Sequence, residues 1–169
     1  MSQFFLTSES PLMVRDGESR HYLPATPEQI LAAAREVIDQ KIPRGTSLES
    51  PALAREYLRT KLAGYDYEVF AMLMLDNRHR LIQYVELFRG TLDGAAVHPR
   101  EVVREVLRLN AAAVILAHNH PSGIPEPSQA DELITLRLKD ALSLIDVRTV
   151  DHIIVGGDRT TSLVERGVL

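Results

Sequence analysis

Two short runs constrain this chain more than any other feature: residues 68–75 (EVFAMLML) and 113–118 (AVILAH). Each is almost continuously apolar, with no polar residue at every second place. That is the pattern of a strand buried on both faces, not of one with a wet side. Such strands need a covering layer above and below, and the remaining segments supply helices for both. The order α, β, β, α, β, α, β, β predicts an α/β sandwich, a mixed β-sheet between helices.

The helix boundaries are signalled by caps. Thr26 fits an N-cap, Pro27 the first helical position and Gln29 the third place of a capping box. Ile30, Ala33, Ala34, Val37 and Ile38 then share one face, predicting a helix to about Gln40. Ser50 and Pro51 open a second helix in the same way, with Leu53, Tyr57, Leu58 and Leu62 as its stripe and Gly64 beyond its end. A third runs from Pro99 to about Asn110. A fourth is capped by Ser128 and reaches about Leu144, with Leu133, Leu136, Leu138 and Leu142 among its apolar positions.

Asp76-Asn77 turns the first buried strand into a hairpin partner at residues 80–88. Strands at 149–155 and 161–164 flank the turn Gly156-Gly157-Asp158. Residues 89–97 hold two glycines and read as a connection. Residues 41–48 (KIPRGTSL) read as a linker, dividing a 1–47 extension with one helix from a main domain at 48–169. The first 25 residues predict an irregular arm with one short strand at 4–6.

Composition narrows the chemistry. At 169 residues and 45% hydrophobic, the chain can bury one core. Nineteen Lys and Arg against 23 Asp and Glu leave a net charge of −4, which argues against holding nucleic acid through bulk charge. There is no cysteine, so disulfides, iron–sulfur clusters, thiolate zinc sites and thiol nucleophiles are excluded. Any metal site must use His, Asp and Glu. No apolar run is long enough for a membrane span, and the N-terminus lacks a signal-peptide pattern, so a cytoplasmic protein is expected.

The informative stretch is HNHPSGIPEPSQAD, residues 118–131. His118 and His120 are two apart at a strand end, so both imidazoles emerge on one side. Two neutral imidazoles there make half of a tetrahedral zinc site. Asp131, in the first turn of the next helix, supplies a third ligand and leaves the fourth position for water. A His-x-His pair is also compatible with histidines that only close a strand. That alternative leaves unexplained why a wholly apolar strand opens into so constrained a polar loop.

The pattern H-x-H-x(7)-S-x(2)-D, met by His118, His120, Ser128 and Asp131, resembles the JAMM (MPN/JAB) metalloproteases. The wording HNHPSG, with DHIIVG at residues 151–156, is similar to the RadC branch of that family. The likeness extends over residues 48–169. Residues 1–47 lack the Gly-rich helix–hairpin–helix pattern of full-length RadC proteins, so a short form is expected.

The resemblance implies a cytidine-deaminase-like α-β-α fold, zinc held by His118, His120 and Asp131, and an upstream glutamate acting as general base. It also implies that Ser128 steadies the oxyanion, besides its ordinary role as a helix N-cap. Three glutamates compete for the base. Glu68 heads a doubly buried strand, a costly place for a carboxylate without a specific partner. Glu86 fits the solvent side of an alternating strand, and Glu101 sits in a first helical turn where the helix dipole accounts for it. Glu68 is therefore the expected base.

Asp151 and His152 fit either a layer behind the metal or plain burial with satisfied hydrogen bonds. Ser122 and Gly123 shape the loop, and His98 reads as a helix-start residue. His21 and His79 show nothing that suggests ligation, and Arg78-His79-Arg80 reads as a solvated hairpin tip. The implied activity is a zinc metallopeptidase or isopeptidase acting on a peptide or protein substrate. Hydrolysis of a non-peptide amide, a DNA-repair accessory role and a non-catalytic scaffold are the alternatives.

Overall fold

The computed structural model describes residues 12–18, 21–90 and 97–169. The strand expected at residues 4–6 and most of the connection at 89–97 lie outside them. In chain order the elements are β1 (Met13–Arg15), β2 (Tyr22–Pro24), α1 (Pro27–Lys41), α2 (Pro51–Leu62), β3 (Val69–Leu75) and β4 (Leu81–Arg89). There follow α3 (Pro99–Leu109), β5 (Ala113–Asn119), α4 (Gln129–Ser143), β6 (Arg148–Gly156) and β7 (Arg159–Ser162). No helix among the described residues is long and apolar enough to cross a membrane.

Both apolar runs are central strands, and every residue of β3 and β5 is buried. The main sheet has the order β4-β3-β5-β6-β7. Only β5 and β6 are parallel, with α4 as the crossover between them. The other three pairings are antiparallel. Alternate residues of β3 enter two cores. Val69, Ala71, Leu73 and Leu75 join side chains of α1 and α2, including Ile38, Tyr57, Leu58 and Leu62. Phe70, Met72 and Met74 join Val102, Val106, Leu138 and Leu142 of α3 and α4. Each buried side chain of this kind is worth on the order of 1.5–3 kcal/mol. Two separate cores on one sheet therefore give the three-layer α/β sandwich.

Local expectations differ from the structure in instructive places. The Thr26–Gln29 capping box forms in both directions, whereas Ser50 caps α2 without a side-chain bond. On α1, Val37 is 61% exposed and Ala33 is exposed too. The covered side is Ile30, Leu31, Ala34, Arg35 and Ile38, the side on which α1 packs against α2. Arg35 donates to Lys61 O and Ala63 O (3.1 and 2.6 Å). Gly64, at φ +77°, leaves room that Leu31 fills.

On α4, Leu133 and Leu136 are exposed and Thr135 is buried in their place. The last strand ends at Ser162, not residue 164. Two exposed strands, β1 and β2, pair where an irregular arm was expected. Residues 45–48 are strapped to the start of β4 by Gly45 N to Leu81 O (2.7 Å), Leu81 N to Thr46 O (2.9 Å) and Leu48 N to His79 O (2.8 Å). Ile42 and Leu48, at the edges of the expected linker, are core residues.

Candidate metal centre

The site forms where β5 ends, on the sheet face covered by α3 and α4. His118 is the last ring on that strand and is 5% exposed. His120 follows one residue past the strand, its backbone N–H donating to Val155 O of β6 (2.8 Å). The loop then folds over the end of β6. Gly156 permits this, because a Cβ there would stand 2.4 Å from Pro125 N and 2.7 Å from Ile124 C. The close approach brings Ile124 O to His120 Nδ1 (2.9 Å). A carbonyl only accepts, so in the neutral ring Nδ1 carries the proton and Nε2 keeps its lone pair.

The N-terminus of α4 brings the carboxylate. Ser128 accepts from Asp131 N (3.2 Å), and its own N–H and hydroxyl both donate to Asp131 Oδ2 (2.7 Å each). Asp131 Oδ1 lies 3.2 Å from His118 Nε2, Asp131 Oδ2 lies 3.5 Å from His120 Nε2, and the two Nε2 atoms are 3.0 Å apart. Ligands 2.0–2.1 Å from one tetrahedral ion stand about 3.3 Å from one another. The observed contacts, made by different oxygens of the one carboxylate, run from 3.0 to 3.5 Å around that value, and one ligand atom from each residue lies within 4.8 Å of the other two. His118, His120 and Asp131 are therefore positioned to bind one metal ion, and they form the only such trio among the described residues.

The electrostatics follow from this packing. Burial alone would raise the Asp131 carboxyl. Its contacts with His118 and His120, the charge of His118 when that ring is protonated, and the Ser128 hydroxyl outweigh it and hold Asp131 well below the usual carboxylate range. His120 is raised, first by its hydrogen bond to Asp131, against burial, with help from Ile124 O and the Glu68 charge. Burial pushes His152 far below an ordinary histidine, so it is neutral.

The three competing glutamates separate cleanly. Phe70 pairs with His118 across β3 and β5, and Glu68, two residues earlier and just ahead of β3, carries a charge that reaches His120. Asn119 secures this end of β3: its amide donates to Tyr67 O (2.9 Å) and its oxygen accepts from Val69 N (2.8 Å). Glu68 is the residue between those two clamped groups. Glu86 pairs with Ala71 and so belongs to the opposite face. It does not face solvent as expected; its Oε1 accepts from Tyr65 and Tyr84 (3.0 and 3.1 Å). Glu101 lies in the first turn of α3 and pairs with Arg100 and Arg104.

Asp151 and His152 part company. Asp151 accepts from His152 N, Ser162 Oγ and Val164 N on the α1/α2 side. His152 is fully buried behind the metal site, with Nε2 2.8 Å from His118 Nδ1 and Nδ1 2.5 Å from Thr135 Oγ1. Asn119 and Thr135 escaped the sequence reading. Asn119 lies inside the His-Asn-His wording, and Thr135 is one helical turn after Asp131, the only signals that pointed to them.

Comparison with known proteins agrees with the geometry. Residues 48–168 match the family described as RadC-like JAB domain. The chain is 58% identical over 141 residues to a UPF0758 protein of Vibrio cholerae, covering 83% of this chain and 89% of that one. It is 60% identical over 136 residues to a UPF0758 protein of Marinobacter nauticus, and 56% identical over 142 residues to one of Thioalkalivibrio sulfidiphilus. Those alignments cover 80% and 84% of this chain but 61% and 63% of the longer relatives. With this match over most of its length and the His-His-Asp trio in place, the chain belongs to the family of RadC-like JAB domains.

Proposed function

We propose that this protein is a zinc-dependent hydrolase in which water attacks the carbonyl of a peptide or isopeptide amide. The supporting observation is the convergence of His118 Nε2, His120 Nε2 and the Asp131 carboxylate at about the spacing of a tetrahedral ion, with the Glu68 charge near enough to act on His120. Two imidazoles and one carboxylate are a catalytic zinc donor set, leaving one position open. Zinc bound there supplies a Lewis acid and makes water acidic enough to lose a proton near neutral pH.

The chain's own residues do the rest. Glu68 takes the proton from the attacking water at its carboxylate and hands it to the departing amine nitrogen. Ser128 keeps Asp131 in its ligand orientation through two hydrogen bonds to Oδ2. Its service to an oxyanion requires the same hydroxyl to rotate away from Asp131. Gly156 and Ile124 hold His120 with Nε2 directed at the site.

The test is metal analysis of the purified chain followed by hydrolysis of a peptide and isopeptide panel. One zinc per chain with turnover is expected. Glu68→Gln should keep the zinc while turnover falls by about 10²–10⁴-fold, the usual contribution of general acid–base catalysis. Full zinc occupancy without turnover on any amide would replace the hydrolase reading with that of a metal-bearing scaffold.

A further inference from the structure

We propose that Thr135 and His152 form a tautomer relay that fixes which nitrogen His118 presents to the metal. The inference rests on the metal reading above but concerns two residues that touch no metal. It follows from counting protons along one chain of contacts. Thr135 Oγ1 lies 2.5 Å from Asp131 O. A carbonyl cannot donate, so the single hydroxyl proton of Thr135 goes there. The contact between Thr135 Oγ1 and His152 Nδ1, also 2.5 Å, must then take its proton from the ring. His152 is fully buried, and no carboxylate forms an ion pair with it among the described residues. A buried ring without a counter-charge stays neutral. With Nδ1 protonated, its Nε2 is bare.

The next contact reads the same way. His118 Nδ1 stands 2.8 Å from that bare Nε2 and must donate to it. His118 Nε2 is left with its lone pair, facing Asp131 Oδ1 at 3.2 Å and His120 Nε2 at 3.0 Å. Reversing any step sets two lone pairs against each other within 2.8 Å. The relay begins at the backbone carbonyl of Asp131 and ends at its carboxylate, so the helix turn that delivers the third ligand also orients the first. β5 and β6 run in parallel register, pairing His118 with Ile154 and Leu116 with His152. That offset sets His152 behind the His118 ring. Thr135 and His152 are thus positioning residues, and His120 has a separate orienting partner in Ile124 O.

The experiment uses the full-length chain with ¹⁵N-labelled histidine, freed of metal, and reads ring tautomers by long-range ¹H–¹⁵N correlation. In the parent, His118 should carry its proton on Nδ1 and His152 on Nδ1. Thr135→Val keeps the shape but leaves His152 Nδ1 without an acceptor. His118 should then shift wholly or partly to the Nε2-protonated form. Zinc affinity, measured by competition with a chromophoric chelator, should weaken by about 10–100-fold, the usual effect of losing a partner of a ligating histidine. Thr135→Ser restores the acceptor, and both readouts should return to within a few-fold of the parent.

A parent protein with His118 protonated on Nε2 overturns the relay without any variant. A folded Thr135→Val protein with unchanged tautomer and affinity overturns it too. A parent that shows the expected tautomers but takes up no zinc supports the relay and defeats the metal reading instead.

Discussion

The two faces of the sheet use polar groups in opposite ways. On the α1/α2 face, acceptors are saturated by donors. Glu86 receives two tyrosine hydroxyls, Asp39 receives the Tyr57 hydroxyl and Lys61, and Asp151 receives two backbone N–H groups and Ser162. Burial first, and then the Glu86 charge, keep the Tyr84 hydroxyl protonated far above its ordinary range. On the α3/α4 face, three acceptors converge on one another at His118, His120 and Asp131. Saturated acceptors build a structure and have nothing left for a ligand. Acceptors gathered without enough donors are what a cation binds. Glu86 and Asp131, with side chains 22% and 18% exposed, thus differ because of what surrounds them, not because of what they are.

The comparison breaks most visibly at the ligands. Replacing His118 and His120 together by alanine should take zinc content from one per chain to none after dialysis, measured by mass spectrometry of the metal. Retained zinc would locate the metal elsewhere. On the other face, Ile42→Ala opens a cavity in the core shared by α1, α2 and the sheet. It should cost about 2–5 kcal/mol in denaturant unfolding and leave zinc content unchanged. Loss of zinc from the folded variant would show the two faces to be coupled.

Glu86→Ala should come next, at about 1–3 kcal/mol, because the Tyr65 and Tyr84 hydroxyls lose their shared acceptor. Its zinc content and any turnover should match the parent, whereas abolished turnover would move the general base from Glu68 to Glu86. The smallest effect is expected at Thr26→Ala, about 1 kcal/mol, from loss of the cap on α1. Thermal unfolding reads it, and metal binding should not respond.

What could be read directly was whatever depends on neighbours in the chain. The caps at Thr26 and Ser128 each span only four residues, and both close as their residues predict. The two unbroken apolar runs implied strands covered on both sides, and with them a three-layer fold. His118 and His120 share a face because side chains alternate along a strand. Asp131 joins them because Ser128 fixes the turn in which it stands.

Tertiary structure decided the rest, since each remaining question depended on pairings between distant segments. That Glu86 lies on the face away from the histidines was decided by the register of β3 with β4, in which one step moves a side chain to the other face. Val37 and Leu133 look like core residues by periodicity, yet each lies on a helix covered along only part of its apolar arc. His152 lies 34 residues from His118 and Thr135 lies 17 from His152. Nothing local marks them as partners, and only the parallel alignment of β5 with β6, under α4, brings their nitrogen and oxygen atoms into line.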